Sequence, residues 1–444
     1  MTPLFGTDGV RGRFGEEPLT EATVRGLGAA VGRHLAARGA APTVLVAGDT
    51  RASSPLLARW IEEGLRASGA RALDLGVLPT AAVARLVPAR GAAAGIVISA
   101  SHNPAEDNGV KLIAPDGFKW SDEDELGLEL DLRPEPRALP GAPLAGPDPG
   151  AAAEYLDALR DALGGASFAG LRIALDCAHG AACRIAPALF SDLGATVEVL
   201  FDHPDGTNIN RGCGSTQPEA LCAFVREGGF DLGFAYDGDA DRALLVDEAG
   251  RVRDGDAMMY LWATGLAESG ELEPRAIVAT SMSNLGLERA LAACRIQVVR
   301  CDVGDREVVR TLRATGLRLG GEQSGHLVDL ERSTTGDGLL TSALLAARVA
   351  AAGAPVSELL AGFRRFPQLL VNVPVRAKPA LDSLPRVADA AGEVERRLGE
   401  DGRLVLRYSG TEPLARIMLE GPDEPTLHAL ADRLAAAIRT EIGA

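Results

Sequence analysis

Gly95-Ile-Val-Ile-Ser-Ala-Ser-His-Asn-Pro104 and Asp231-Leu-Gly-Phe-Ala-Tyr-Asp-Gly-Asp-Ala-Asp-Arg242 are the two stretches on which the reading of this chain turns. Each is a short apolar run that breaks into a polar loop. Neither run alternates polar and apolar residues, as a strand covered on both faces should not. The first ends in a turn carrying Ser101. The second ends in carboxylates at alternate positions, Asp237, Asp239 and Asp241, which point the same way on an extended loop. Three hard oxygens left open to a further ligand suit Mg²⁺. A hydroxyl able to carry phosphate beside such a cage is equipment for metal-assisted phosphoryl transfer.

The same strand-then-loop pattern recurs at Thr43–Arg51, Arg172–Gly180, Ala276–Asn284, Leu317–His326 and Arg403–Pro413. Amphipathic stretches between them predict helices near 20–38, 256–268, 284–293, 304–315, 337–352 and 424–441. A further helix is capped by Ser54, has Pro55 at its first position and stops near Gly69. Alternating strands and helices imply α/β units with parallel sheets, whose ligands bind beyond the carboxyl ends of the strands. Six prolines between 134 and 149 mark a linker, and further junctions fall near 254–256 and 366–380. The expected segments are 1–145, 150–254, 255–365 and a smaller, strand-rich 368–444.

Composition limits the partners. A chain of 444 residues needs several cores, and 46% hydrophobic residues can fill them. The formal charge of −16 disfavours nucleic acid and anionic membrane. No apolar run approaches the ~20 residues of a membrane span, and no leader pattern opens the chain, so a cytoplasmic protein is expected. The six cysteines form no framework and read as reduced thiols. Only three of the 45 basic residues are lysines, at 111, 119 and 378, so Lys111, ten residues after Ser101, stands out.

Competing chemistries fail on particular residues. An EF-hand loop starting at Asp237 would have its acidic twelfth position at Glu248, but Arg242 stands where glycine is required. No Gly-Lys pair allows a Walker loop, and no Gly-x-Ser-x-Gly elbow surrounds Ser101 or Ser324. Arg407-Tyr-Ser409-Gly410-Thr411-Glu-Pro-Leu-Ala-Arg416 gathers hydroxyls, accessible N–H groups and two guanidiniums, the donors a phosphate needs. Glu322-Gln-Ser324-Gly-His326 offers acceptors for sugar hydroxyls and an imidazole.

Taken together these loops resemble the α-D-phosphohexomutase superfamily. The resemblance runs almost end to end. It starts with Phe5–Gly12 and the Ser99–Pro104 loop, and continues through Asp205–Thr216, Asp237–Arg242, Val303–Arg306, Gly321–His326, Thr335–Gly338 and Ser409–Pro413. Gln323, where related mutases usually carry Met, points with the Asn208-Ile-Asn210 and Gly304-Asp-Arg306 stretches to the glucosamine branch. The resemblance implies three similar mixed α/β domains plus a smaller C-terminal α+β domain around a central cleft. It implies interconversion of glucosamine 6- and 1-phosphates through glucosamine 1,6-bisphosphate, with a phosphosugar as partner and a homodimer possible. In that scheme Ser101 carries the phosphoryl group, and Mg²⁺ is bound by Ser101, Asp237, Asp239 and Asp241. His326 and Lys111 are the candidate base and acid, with Arg11 and His102 also in the catalytic set. Glu322, Ser324 and Arg242, with Arg407, Ser409, Gly410, Thr411 and Arg416, would hold the substrate. Two departures are visible: the usual Gly-Arg-Asp-Thr-Arg is Ala47-Gly-Asp-Thr-Arg51, and Glu307 stands where an aromatic is common.

Overall fold

A computed structural model describes residues 4–6, 8–36, 42–135, 146–409 and 412–444. Part of the proline-rich linker (136–145), together with Gly410 and Thr411, lies outside the described residues. Four sheets follow one another along the chain. The first contains β1 (Val10–Arg13), β2 (Thr43–Gly48), β3 (Arg71–Val77), β4 (Ala94–Ile98) and β5 (Asp107–Ile113), in the order β1-β5-β4-β2-β3. The second contains β6 (Arg172–Asp176), β7 (Thr196–Leu200), β8 (Leu232–Tyr236), β9 (Ala243–Asp247) and β10 (Val252–Arg253), ordered β10-β9-β8-β6-β7. The third contains β11 (Ala276–Thr280), β12 (Gln297–Cys301), β13 (Leu319–Gly321) and β14 (Leu327–Asp329), ordered β12-β11-β13-β14. The fourth is antiparallel: β15 (Gln368–Pro374), β16 (Arg403–Tyr408) and β17 (Leu414–Glu420), with β17 in the centre.

The first three sheets share one plan. Parallel strands fill the middle and an antiparallel strand returns beside them. The sheets are therefore mixed where strand–helix alternation predicted parallel ones, and loop length explains why. Only residues 99–106 separate β4 from β5, 237–242 separate β8 from β9, and 322–326 separate β13 from β14. Such loops are too short for a helical crossover, so the chain turns back as a hairpin. The serine loop, the aspartate loop and the Glu322–His326 loop thus occupy the same position in three equivalent units.

Burial follows strand position. β4, β8, β9 and β11 are buried along their whole length, whereas the edge strands β3 and β7 are partly exposed. Helix ends obey local rules: Ser121, Asp254, Asn284, Asp337 and Asp423 each accept a backbone N–H at a helix start. The helix Ser54–Ala67 differs from expectation. Its cap position is Ser53, which makes no side-chain capping bond, and the Ser54 hydroxyl instead donates to Asp49.

The described residues pack as two compact units, Met1–Met282 with Val298–Ala361, and Ser283–Gln297 with Gly362–Ala444. The helix Leu285–Ala293 thus belongs with the C-terminal unit, although it precedes β12 in the chain. In that unit, helices Pro385–Leu398 and Glu424–Ile442 share one core with the fourth sheet, including Val373, Ile417, Leu419, Leu434 and Ile438. All six cysteines are free thiols, and no described helix is long and apolar enough to cross a membrane.

Candidate active site

The three equivalent hairpin turns meet within the larger unit. Ser101 has a left-handed backbone (φ 52°) and is 1% exposed. Its Oγ donates to Asp237 Oδ2 at 2.5 Å. The aspartate loop presses against it, since a Cβ on Gly238 would lie 2.5 Å from the Ser101 carbonyl oxygen. From the third turn, Gly325 carbonyl accepts from Ala243 N–H at 3.2 Å, and His326 Nδ1 sits 3.7 Å from Asp241 Oδ2.

Asp237, Asp239 and Asp241 are buried, with one oxygen of each lying within 4.8 Å of the other two. Burial, with Asp241 and Asp239 adding repulsion, pushes the Asp237 carboxyl well above its ordinary range. Asp241 goes the other way: burial opposes ionisation, but Lys111 and then His326 hold it well below the usual value. Lys111 Nζ lies 2.8 Å from Asp239 Oδ2, 3.3 Å from Asp241 Oδ2 and 2.9 Å from Asp8 Oδ2. Burial disfavours its charge, yet Asp239, Asp8 and Asp241 raise its pKa well above the ordinary value. It is an ammonium throughout the neutral range. Thr80 Oγ1 donates to Asp239 Oδ2 at 2.5 Å.

A divalent cation fits this arrangement. Asp239 Oδ1 and Asp241 Oδ1 are buried and accept no hydrogen bond among the described residues, a costly state for carboxylate oxygens unless a cation binds there. An all-oxygen donor set of this size suits Mg²⁺ rather than a thiophilic metal.

His326 is held more tightly than expected of an open base. Gly336 N–H donates to His326 Nε2 at 3.1 Å, which leaves the proton on Nδ1, facing Asp241. A Cβ at position 336 would lie 2.4 Å from the ring, so the Thr335–Gly338 motif serves to pack this imidazole. Burial disfavours its charged form, yet Asp241 and then Asp305 raise its pKa above the ordinary value. His102 differs. Its Nδ1 faces Ser101 Oγ at 3.3 Å and Arg242 Nη1 at 3.5 Å. Burial, then Arg242 and Arg11, lower its pKa.

Beside the carboxylates lies a cavity of about 610 Å³ lined by Asp8, Arg11, Asp241, Arg242, Asp305, Glu322 and Ser324. Arg11 is held by Asp8 and bonds the Ala100 carbonyl at 3.4 Å. Glu322 accepts from Gly304 N–H at 3.1 Å. Gln323, the expected branch marker, lies outside this lining; its amide donates to Asp256 at 3.0 Å.

Sequence reasoning assigned no role to Asp8, Thr80, Lys119 or Asp305. Asp8 joins Lys111 to Lys119, and Lys119 also pairs with Asp305. The scarcity of lysine was the available signal for Lys119. Nothing marked Thr80. The third lysine, Lys378, also anchors a candidate loop, donating to the Ser409 carbonyl at 2.6 Å.

In the C-terminal unit, Arg407 and Arg416 are directly opposite each other in the β16–β17 register. Leu404, Leu406, Tyr408, Ala415, Ile417 and Leu419 take the core face, so both arginines lie on the other. Like charges in that position repel. Glu412 relieves part of this through a 2.8 Å bond to Arg416, and its N–H donates to Ser409 Oγ at 3.3 Å.

Models of the phosphoglucomutase/phosphomannomutase family match nearly the whole chain: alpha/beta/alpha domain I at residues 2–134, domain II at 153–250, domain III at 254–366 and the C-terminal domain at 370–437. The chain belongs to the phosphoglucomutase/phosphomannomutase family. Among curated members, it is 45% identical over 448 residues to phosphoglucosamine mutase of Geobacillus kaustophilus, covering 100% of both chains. It is 46% identical to the protein of that name from Cereibacter sphaeroides, covering 98% of each. Among solved structures of the family, a phosphoglucomutase/phosphomannomutase family protein of Burkholderia thailandensis superposes with a TM-score of 0.80 at 25% identity, over 99% of this chain and 98% of that one. The fold is shared more distantly with Aspergillus fumigatus N-acetylphosphoglucosamine mutase, crystallised with GlcNAc-6P and magnesium. That match has a TM-score of 0.65 at 19% identity, over 98% of this chain and 95% of that one.

Proposed function

We propose that this chain is a hexosamine-phosphate mutase that interconverts glucosamine 6-phosphate and glucosamine 1-phosphate in the cytoplasm, feeding amino-sugar nucleotide and cell-wall synthesis. The observation that carries the reading is the 2.5 Å bond between Ser101 Oγ and Asp237, which sets a buried nucleophile against an oxygen cage. Whole-length identity to phosphoglucosamine mutases supports the sugar.

In this reading phosphorylated Ser101 donates its phosphoryl group to O1 of glucosamine 6-phosphate: the Oγ–P bond breaks and the O1–P bond forms. Glucosamine 1,6-bisphosphate results. The intermediate turns over, Ser101 Oγ takes the phosphoryl group from O6, and glucosamine 1-phosphate leaves. Asp237, Asp239, Asp241 and Ser101 would hold Mg²⁺, which would supply neutralising charge to the transferring group. Lys111, Arg11 and Arg242 supply fixed positive charge around it. The O1 proton passes to the departing Ser101 Oγ in the first half-reaction. In the second the Ser101 hydroxyl proton, hydrogen-bonded to Asp237 Oδ2 at the start, passes to O6, with Lys111 as the acid beside the leaving oxygen. His326 accepts from Gly336 N–H at Nε2 and faces Asp241 across 3.7 Å at Nδ1; service as an open base would require release of Gly336. Glu322 and Ser324 bind sugar hydroxyls, with His102 beside the nucleophile. Arg407, Ser409, Gly410, Thr411 and Arg416 bind the non-reacting phosphate, whose charge would offset the Arg407–Arg416 repulsion. The four segments proposed from sequence, 1–145, 150–254, 255–365 and 368–444, each carry one of these loops. Neither nucleic acid nor membrane takes part, and a homodimer is compatible with the scheme.

Incubation with glucosamine 1,6-bisphosphate should add one phosphoryl group to the wild type by intact mass and none to Ser101→Ala, whose turnover should fall by about three orders of magnitude or more. Undiminished turnover by the variant would refute the nucleophile. Phosphate released faster than isomer forms would make the protein a phosphatase instead.

A further inference from the structure

We infer that Asn210 is a positioning residue for the nucleophile, acting with Arg51 to hold the Ser101 loop in one backbone geometry through both half-reactions. The inference rests on the proposed role of Ser101 and adds a task for the Asn208-Ile-Asn210 stretch.

Two carbonyls of the serine loop point inward. Asn210 Nδ2 donates to both, to Ser101 O at 2.9 Å and to Asn103 O at 2.9 Å. Arg51 Nη2 donates to the same pair, at 3.2 Å and 2.6 Å. Each NH₂ group has two hydrogens and each carbonyl two lone pairs, so the four bonds use this capacity fully. The arrangement is buried: Arg51 is 1% exposed and Asn210 is 7% exposed. Ser101 N–H is fixed as well, donating to Ser99 Oγ at 2.9 Å.

These bonds hold a conformation that serine adopts reluctantly. Ser101 has φ 52°, in the left-handed region that L-residues other than glycine, asparagine and aspartate rarely occupy. Asn210 is itself left-handed (φ 59°), and its N–H is tied to the Ala178 carbonyl at 2.9 Å. The metal loop closes over the same point, since a Cβ at Gly238 would meet Ser101 O at 2.5 Å and Asn210 Nδ2 at 3.0 Å. Asn210, Ser101 and the aspartate loop are thus in mutual contact, while Asn210 does not line the 610 Å³ cavity.

A residue so placed acts on transfer rather than on sugar binding. Ser101 must present Oγ at one point both when it gives phosphate and when it takes it back, and a displacement near one ångström costs about a hundredfold in rate. Arg51 is a poorer probe because its loss would leave buried Asp49 without its ion-pair partner. Asn208 serves as the control, since among the described residues its side chain bonds only within its own loop, to Asp205 N–H and His203 O.

The test compares Asn210→Asp, which keeps the volume and removes the donors, with Asn210→Ser and Asn208→Ala. Both Asn210 variants should lower kcat at least about tenfold with KM within about twofold. Phosphorylation of Ser101 by glucose 1,6-bisphosphate should slow by a similar factor, with circular dichroism unchanged. Asn208→Ala should match the wild type. A folded Asn210 variant with kcat within twofold of wild type overturns the inference. So does a raised KM at unchanged kcat, and so does loss of fold in both variants, which would make the residue a determinant of folding. Failure of the glucosamine reading shows separately, as absence of wild-type turnover on glucosamine phosphates.

Discussion

Replacing Gly238 with alanine should separate the proposed nucleophile from the aspartate loop without removing any chemical group. The added Cβ would lie 2.5 Å from the Ser101 carbonyl oxygen, 2.9 Å from Ile209 Cδ1 and 3.0 Å from Asn210 Nδ2. Side-chain carbons essentially never come closer than 3.0 Å to such atoms, so the two loops must part by roughly half an ångström at least. The backbone oxygen cannot swing aside, because Asn210 and Arg51 hold it. Overpacking of this kind costs about 1–3 kcal/mol of stability. The larger effect should fall on turnover, because half an ångström at Ser101 is a sizeable share of the displacement that costs about a hundredfold. A loss of kcat between about tenfold and a hundredfold is expected, with little change in KM. Steady-state mutase kinetics and a thermal melt in parallel decide it. Wild-type kcat in a protein of unchanged Tm would refute the claim that these loops are in register at this contact.

Three further outcomes follow from the same geometry. Asp239→Asn should raise the Mg²⁺ concentration for half-maximal activity by about tenfold or more, and an unchanged titration would contradict the cage. Arg416→Ala should chiefly raise KM, with kcat less affected. It also removes the cross-strand repulsion with Arg407, so thermal stability should hold or rise slightly. Lys119→Met should make the protein more acid-sensitive. Burial opposes ionisation of Asp8, yet Lys111, Lys119 and Arg11 hold it well below the ordinary 3.8, and Lys119 likewise lowers Asp305. Depressed carboxyls contribute stability in full above their unfolded pKa and lose it as pH falls through the folded value. Removing Lys119 should therefore move the acid-unfolding midpoint to higher pH, as circular dichroism on titration would show. An unmoved midpoint would mean that the pairs contribute nothing net.

Much of the site could be read from residue types alone. The Asp237, Asp239 and Asp241 triplet carries its own spacing, and Ser101 follows an unmistakable buried strand. Lys111 stood out by scarcity. Other residues were invisible because their partners are distant in the chain. Thr80 reaches Asp239 across 159 positions and Asn210 reaches Ser101 across 109. His326 was legible as an imidazole in a polar loop. Its hydrogen-bonding state was not, because Gly336 N–H and Asp241 decide it from two other loops.

Local pattern by itself determined the strands that lead into the polar loops and several of the helices, since burial on both faces demands unbroken apolar runs; it left helices such as Ala182–Asp192 and Pro385–Leu398 unmarked. It determined also which loops carry hydroxyls, carboxylates and guanidiniums. Only the tertiary structure decided that three of these loops are hairpin turns at equivalent positions, and that they meet with Ser101 against the aspartates. Such contacts join strand ends distant in the chain, as Ser101 and Asp237 are across 136 positions, and their geometry depends on packing that no single segment encodes.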